Sequence, residues 1–384
     1  MHAYIKRKKL LSIVFFYCLV STNALGQSIQ QFILQKKEQF SNRFADTSSK
    51  PNYLIYPTLA YTPETKTEIG FVNLFLFYAK NDKRNRLSEI NTFTFYTTEK
   101  QYGFWMEHAI YGNKEKWFYL GKGKFQYFPM KYYGIGINKT GKDHLLVNNS
   151  NIQLRERALR KVVGDFYGGV EFDFQKVYNI KFGNTASTNL DYPRGHTGST
   201  NLGLGMGLVY DTRRNVMNVR KGKFAEIAYL NYSPSLGSTY RFQSTQLDMR
   251  YFRQGFHSKQ VFAVQTLGIF NKGEVPFNQM ALMGGEVMMR GYYQGRYRDN
   301  NLVAAQAEYR FLPFPFSKRW GATLFASTGT VAPTVSTLIK APYKMAGGFG
   351  ARYLAFKAKD IFLRLDIAFT SEGRGYYLFF GESF

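Results

Sequence analysis

The chain has 384 residues, of which 18% are aromatic and only 45% are hydrophobic, and its formal net charge at pH 7 is +25. No long apolar run follows the N-terminal region, so the composition excludes a bundle of membrane-spanning helices. The charge raises the hypothesis of nucleic-acid binding, but the basic residues are scattered through predicted strands and loops, and we predict no nucleic-acid partner.

The first 26 residues are typical of a secretory signal peptide. A basic start at residues 6–9 precedes an apolar stretch at 10–20 and a small-residue pattern at 24–26, which predicts cleavage before Gln27. A retained membrane anchor is the alternative, but the apolar stretch is well short of the roughly 20 residues that a spanning helix needs. The only cysteine, Cys18, lies in this segment, so the mature protein is expected to hold no disulfide and no cysteine metal site.

Residues 27–52 form a short polar segment in front of the main body of the chain. Apolar residues recur there at roughly helical spacing, which predicts a short amphipathic helix or a loosely ordered tail: Ile29, Phe32, Ile33, Phe40 and Phe44. In an exported protein this segment would be periplasmic, and it is too short to be a domain.

From residue 53 to residue 384 the hydrophobic period changes to two. In the segment 360–370, Leu363, Leu365 and Ile367 lie on one face, while Arg364 and Asp366 lie on the other. A soluble β-sandwich alternates in the same way, but it buries its apolar face between sheets, whereas a membrane barrel turns that face to lipid and its polar face to a lumen. The signal peptide, the missing cysteines, the abundant Tyr and Phe near strand ends and a chain that finishes inside a strand favour the barrel.

Sixteen segments carry the strand pattern, and an even number suits a closed antiparallel barrel in which every backbone group is paired. The predicted fold class is therefore all-β, a 16-stranded antiparallel transmembrane β-barrel over residues 53–384. The long connections at 130–151 and 272–301 are predicted to be extracellular loops or to fold inward. The approximate strand cores are 53–61, 67–78, 88–98, 101–111, 115–128, 152–162, 165–177, 201–212, 222–233, 240–253, 259–271, 302–312, 320–332, 344–356, 360–371 and 375–384.

No catalytic residue, cofactor or metal site is predicted. Histidines 108, 144, 196 and 257 of the mature chain lie in unrelated strands or loops without the spacing of metal ligands. A lipase site in the wall would need a lipid-facing Ser–His pair, for which the sequence shows no motif, and His108 is the only histidine in a predicted wall strand. The glycines of the run 202–208, LGLGMGL, lack the context of a phosphate loop and are expected to leave room for an inserted loop.

The segment 284–301, GGEVMMRGYYQGRYRDNN, resembles the sixth extracellular loop of the BamA/TamA family of outer-membrane barrels, above all in its triplet Arg290-Gly291-Tyr292. The triplet falls between the eleventh and twelfth predicted strands, as in the family. The stretches GLVYDTRRNVMNVRKGKF, AEYRFLPFP and LFFGESF resemble, in the same order, the turn before the family's ninth strand, its twelfth strand and its final strand. The resemblance covers roughly residues 53–384 and implies a sixth loop that folds inward.

The resemblance also implies a lumenal partner for Arg290, because an arginine inside the barrel is costly to desolvate unless a carboxylate meets it. Glu308, on the twelfth strand, matches the family's carboxylate position and is the predicted partner. The family's second acid, in an Asp-x-Gly pattern on the following strand, is replaced here by Ser327-Thr328-Gly329. The inward-facing Asp366 is the predicted substitute, and an ordinary exposed loop arginine is the alternative interpretation of Arg290.

The two ends of the predicted barrel supply the remaining site residues. Gly381 and Phe384 resemble the Gly-x-x-aromatic terminus that serves the family as an assembly signal, and a terminal aromatic also suits the membrane interface. The seam between the first and last strands is expected to be weak, since a proline in the first strand removes one donor, although an ordinary edge proline is also possible. The predicted seam residues are Tyr53, Pro57, Tyr376 and Phe380.

These features predict a protein of the cell outer membrane of a Gram-negative-type bacterium that assists protein or lipid insertion or translocation, or outer-membrane homeostasis, without covalent catalysis. A passive pore for small solutes is the alternative, and an outer-membrane lipase is a weaker one. The expected partners are outer-membrane lipids, including the anionic lipopolysaccharide that would balance the basic charge, and a separate periplasmic protein or a client barrel. Residues 27–52 leave no room for the family's periplasmic POTRA domains, so we expect a barrel-only member that either works with a separate periplasmic partner or has lost insertase activity.

Overall fold

The computed structural model describes residues 49–138, 143–183, 190–213, 218–257, 259–357 and 360–384. The predicted signal peptide and nearly all of the polar segment 27–52 lie outside these residues. Among the residues described, no helix is both long and apolar enough to cross a lipid bilayer.

The wall of the protein is a closed antiparallel barrel of sixteen strands, which confirms the predicted fold class. Each wall strand pairs with its neighbours in the chain, and the last pairs with the first. The wall strands are β1 (Asn52–Thr62), β2 (Lys66–Tyr78), β3 (Leu87–Thr97), β4 (Tyr102–Tyr111), β5 (Trp117–Tyr127), β7 (Leu145–Val163), β8 (Phe166–Phe182), β9 (Ser199–Asp211), β10 (Gly222–Tyr232), β11 (Phe242–Gln254), β12 (Gln260–Gly273), β15 (Asn301–Phe311), β16 (Trp320–Ala332), β17 (Lys344–Phe356), β18 (Ile361–Thr370) and β19 (Gly373–Phe380).

Short elements accompany the wall. The strand β6 (Met130–Tyr132) continues the pairing of β5 along β7, and β13 (Ala281–Met283) and β14 (Tyr297–Asp299) form a separate two-stranded hairpin. A single helical turn, α1 (Val335–Leu338), begins at a capping box formed by Thr334 and Thr337. None of these short elements was predicted, because three or four residues carry too little periodicity to be recognised.

The two faces of the wall differ in polarity, as the period of two requires. On β18 the inward Arg364 and Asp366 are buried, whereas the outward Leu365 and Phe369 are 47% and 46% exposed. Apolar side chains on the outside match lipid, and polar side chains on the inside match a wet or protein-filled lumen.

Alternate hairpins place the connections at two opposite ends of the barrel. We call the end at which β1 begins and β19 ends the terminal rim, and the opposite end the loop rim. The loop rim carries the long connection 274–300 between β12 and β15. The strands β7 and β8 reach farther toward this rim than predicted, since β7 begins at Leu145 and β8 ends at Phe182.

The seam between β1 and β19 is short. Only Tyr61 and Leu378 are paired there, whereas β1 pairs with β2 over eleven residues and β19 pairs with β18 over eight. The strand β19 ends at Phe380 instead of continuing to residue 384 as predicted. A positive φ of 90° at Gly381 turns the chain away from the wall at this point, so β19 does not extend along the rest of the β1 edge.

The glycine run of β9 faces the lumen, but the inserted loop does not occupy the space beside it. A side chain at Gly203 would collide with the ring of Tyr232, and one at Gly207 would contact the Glu171 carboxylate. The prediction was therefore wrong about what these glycines accommodate: a ring from the neighbouring strand β10 and a carboxylate from β8 take the space.

An ionisable pair lies on the outer face of the wall. His108 on β4 and Glu156 on β7 both point outward, and Nε2 of His108 lies 2.9 Å from Oε2 of Glu156. The pair spans Gly121 on β5, which lies between them in the register. A carbon added at Gly121 would collide with both side chains, so glycine is what allows the two groups to meet.

We expect Gly121→Ala to separate His108 from Glu156 and to lower the free energy of unfolding by roughly 1–2 kcal/mol, because polar groups next to lipid lose their partner. The thermal midpoint of the folded, gel-resistant form in detergent measures this loss. Gly123→Ala is the matched control, since the nearest atoms to a carbon added at Gly123 lie 3.9 Å away. Equal midpoints for the two variants would contradict the prediction.

Candidate functional site

The connection 274–300 folds into the lumen from the loop rim. Its apolar side chains Met283, Met289, Tyr292 and Tyr297 are buried together against wall residues such as Val331. The loop is thus held by an apolar core of its own inside the barrel, as the family resemblance implied.

Arg290 lies at the inner end of this loop and is buried between two wall strands. Its Nη1 donates to Oδ2 of Asp366 on β18 at 2.6 Å, and its Nη2 forms a short ion pair with Glu308 on β15. The guanidinium also lies 3.7 Å from the centroid of the Phe325 ring. The structure therefore brings Arg290 together with the two carboxylates that the sequence suggested.

The charged cluster extends beyond these three residues. Nε of Arg310 donates to Glu308 at 2.6 Å, Nη1 of Arg352 donates to Asp366 at 2.6 Å, and Nε of Arg352 donates to Glu382 at 3.0 Å. Such a cluster adds little net stability compared with apolar packing, but removal of one partner leaves a buried charge uncompensated. We call this cluster the lumen network: Arg290, Glu308, Arg310, Arg352, Asp366 and Glu382.

The two residues after Arg290 attach the loop to the wall. The backbone N–H of Gly291 donates to the hydroxyl of Tyr377 on β19 at 2.8 Å, and the hydroxyl of Tyr292 donates to the carbonyl of Met345 on β17 at 3.2 Å. The φ of Gly291 is 106°, and a side chain there would collide with Thr370. Glycine is therefore required both by the backbone conformation and by the close approach to the wall.

Two further contacts hold the loop at the hairpins on either side of the seam. The backbone N–H of Gln294 donates to Oε1 of Glu64, in the turn after β1, at 2.6 Å. Nε of Arg296 donates to Oε2 of Glu372, in the turn before β19, at 2.6 Å. The sequence contained no signal for these partners, because turn carboxylates are common and their partners are distant in the chain.

The last four residues lie inside the barrel. Oγ of Ser383 donates to Glu308 at 2.7 Å, and Nη2 of Arg310 donates to the carbonyl of Phe384 at 3.2 Å. The Phe384 side chain is only 9% exposed and packs against Phe252 and Val261 on the inner wall. The expectation that this ring lies at the membrane interface was therefore wrong, because Gly381 redirects the chain toward partners in the lumen.

We expect Phe384→Ala to lower the free energy of unfolding by about 3 kcal/mol, because a buried ring leaves a cavity and loses its packing. The thermal midpoint in detergent measures the change. Phe316→Ala is the control, since Phe316 lies in a turn at the terminal rim and is 86% exposed. If Phe384→Ala and Phe316→Ala had the same thermal midpoint, Phe384 would not stabilise the barrel.

The predicted seam residues lie on the first and last wall strands. Tyr53 and Pro57 are exposed on β1, and Tyr376 is exposed on β19. The rings of Tyr56 and Phe380 contact each other edge to face, with centroids 6.4 Å apart. Side-chain packing thus supplements the single backbone pairing of the seam.

Across the described ranges, no group of three or more His, Cys, Asp or Glu side chains is arranged to hold a metal ion. The outward pair of His108 and Glu156 is the arrangement that most nearly resembles part of a hydrolase site, and in the described part of the chain its hydrogen bonds include none to a serine.

Comparisons with known proteins agree with this architecture. The description "Omp85 superfamily domain" matches residues 122–372, which is more than half of the chain. BamA from Haemophilus ducreyi, in a form lacking POTRA domains 1–3, aligns with a TM-score of 0.55 at 13% identity, over 88% of this chain and 70% of that one. CdiB from Acinetobacter baumannii aligns with a TM-score of 0.56 at 9% identity, over 87% of this chain and 66% of that one.

At these identities the solved structures show a common fold and nothing more. No curated protein sequence matches the chain. The domain match nevertheless spans ten strands of the wall in full, from β7 to β18, together with the inserted loop and Arg290. The chain therefore belongs to the Omp85 superfamily.

Proposed function

We propose that this barrel assists the insertion or translocation of proteins or lipids at the outer membrane of a Gram-negative-type bacterium, without covalent catalysis. The observation that carries the proposal is the seam, where a single residue pair joins β1 to β19. An edge strand presents donors and acceptors that template the pairing of another strand. A client strand paired with β1 enters the membrane without exposing its backbone groups to lipid, which removes the main cost of insertion.

The proposed partners follow from the same geometry. The outward apolar wall requires membrane lipid, and lipopolysaccharide would offer anionic groups to the basic chain. A client barrel would meet the seam from within the membrane. A separate periplasmic protein would reach the terminal rim, where β1 begins and β19 ends.

The passive pore is the alternative, and the inserted loop argues against it. The loop fills part of the lumen with buried side chains and is tied to the wall by the lumen network. We expect small, flickering currents when the purified protein is added to planar lipid bilayers. Large and stable currents would favour the pore instead.

Insertion is tested by the folding of a urea-unfolded outer-membrane barrel into liposomes that contain the purified protein. We expect folded, protease-resistant client to accumulate faster than in liposomes that contain the same mass of a general porin. Equal rates in the two preparations would contradict the proposed function, because a porin supplies bilayer defects but no weak seam.

A further inference from the structure

A cavity of about 310 Å³ lies inside the wall beside the seam. It is bounded by β1 to β4, by the end of β19 and by the inserted loop. Four carboxylates line it: Glu64 in the turn after β1, Glu68 on β2, Glu107 on β4 and Glu286 in the inserted loop. The rings of Phe93 and Trp105 form part of its wall. The lumen network does not include any of these residues.

Three of its carboxylates, Glu64, Glu68 and Glu286, have no cation beside them among the described residues. Glu107 is the register partner of Lys122, and Nζ of Lys124 lies 4.4 Å from the centroid of the Trp105 ring. The Glu286 charge repels both Glu64 and Glu68. Of the lysine, arginine and histidine side chains that the structure describes, none lies within the 4.0 Å of an ion pair from these three carboxylates. On the neighbouring part of the wall, from β15 to β18, the arginines of the lumen network by contrast meet carboxylates directly.

The cavity also holds polar atoms that lack a partner. Glu64 is only 5% exposed, and although one of its oxygens accepts from Gln294, its Oε2 is buried with no hydrogen bond within the described part of the chain. The hydroxyl of Thr58 and Oδ1 of Asn91, which also line the cavity, are likewise buried with no hydrogen bond within the described residues. A buried acceptor without a donor is unfavourable, so these atoms point to a ligand that donates hydrogen bonds.

We propose that this cavity binds the ammonium or guanidinium group of an organic cation. A positively charged donor group satisfies the carboxylates and the unpartnered oxygens at once, and charge-assisted hydrogen bonds are the strongest available to them. The ring of Phe93 suits the apolar part of such a ligand, whereas the Trp105 ring already has the Lys124 ammonium over it. The volume is much larger than a single metal ion requires, and the carboxylates form no metal-ligand group in the described residues.

The probe for the test is N-acetyl-arginine amide, with N-acetyl-citrulline amide as its neutral isostere. Calorimetry on the purified barrel in an uncharged detergent measures binding, and the fluorescence of Trp105, which lines the cavity, gives a second signal. We expect the arginine compound to bind and the citrulline compound to bind at least about tenfold more weakly. Equal binding of both compounds, or no binding of either, would overturn the proposal.

Variants locate the site. The double change Glu64→Gln and Glu286→Gln is expected to weaken binding of the arginine compound by about tenfold or more. Glu274→Gln is the control, because Glu274 is exposed at the start of the same loop and does not line the cavity. Loss of binding in the control as well, or undiminished binding in the double variant, would refute the assignment to this cavity.

Measuring the affinity of the arginine compound at several pH values tests the proposal on the wild-type protein, so no variant has to fold. Burial raises the pKa of Glu64 to about 7, the N–H of Gln294 opposes the shift and the charge of Glu286 adds to it. Tyr133, Tyr293 and Tyr377 are the other titratable groups that Glu64 affects. Because arginine keeps its charge throughout, its affinity should rise between about pH 5.5 and about pH 8 as Glu64 ionises. A flat or falling profile would count against the proposal.

The cation has two possible sources, which further measurements separate. A free small cation needs only the cavity, whereas a basic side chain on a client strand also needs the seam. A disulfide between Cys residues placed at Tyr61 and Leu378 keeps β1 and β19 together. Binding of the small probe is expected to survive this crosslink, and binding of an extended heptapeptide with a central arginine is expected to be lost if the client strand is the source. Since the small probe is tested without any client, failure of the cavity proposal and failure of the proposed insertion function are distinguishable.

Discussion

Replacing Arg290 with alanine is expected to lower the free energy of unfolding by roughly 3–5 kcal/mol, because the change leaves buried carboxylates without one of their cations. Glu308 and Asp366 both receive this guanidinium, and both are fully buried. The remaining arginines of the lumen network compensate only in part, since they approach the same carboxylates from the wall. The loop would also lose its innermost attachment.

The thermal midpoint of the folded, gel-resistant form measures the effect. Arg241→Ala is the control, because Arg241 is exposed at the loop rim. Arg290→Lys is expected to fall between wild type and Arg290→Ala, since lysine keeps the charge but cannot bridge two carboxylates with a planar fork. Wild-type stability of Arg290→Ala would mean that the lumen network does not hold the loop.

The second large effect is expected from crosslinking the seam. Tyr61 and Leu378 are register partners and both point outward, so cysteines at these positions lie within the Cα separation that a disulfide needs. If insertion requires β1 and β19 to part, the oxidised variant should lose the acceleration of client folding almost completely. A reducing agent should restore it.

A matched crosslink controls for the disulfide itself. Leu365 on β18 is the other register partner of Leu378, so the pair Leu365→Cys and Leu378→Cys joins strands that already pair over eight residues. This variant should remain active under oxidising conditions. Equal activity of both oxidised variants would exclude opening of the seam as part of the mechanism.

The period of two was sufficient to predict the wall, because each strand satisfies a local requirement for lipid on one side and a polar lumen on the other. The same rule misplaced the end of the last strand. Residues 376–380 continue the pattern up to Gly381, and nothing local shows that Ser383 and Phe384 have partners on β15 and β12. Contacts between residues far apart in the chain decide such endings.

The candidate site was likewise predictable from the sequence only in part. Arg290 and its two carboxylates were predictable, because a family resemblance supplied the arginine and the inward parity of β15 and β18 supplied the acids. The contacts of the loop with Glu64 and Glu372 were not predictable, because the alternation of inward and outward side chains does not extend into turns. The place of Gly121 beneath an ion pair likewise depends on the register of three strands, which the sequence does not specify.

The two turn contacts of the loop have a mechanical consequence. Glu64 and Glu372 belong to the hairpins on either side of the seam, and both are bonded to neighbouring residues of one loop. The loop therefore holds the two hairpins together at the loop rim, close to the pair of Tyr61 and Leu378. Toward the terminal rim, β1 continues for nine residues below Tyr61 whereas β19 ends two residues beyond Leu378. If the two strands separate, the opening is therefore narrow at the loop rim, where the loop holds both hairpins, and widest at the terminal rim, where β1 begins and β19 ends.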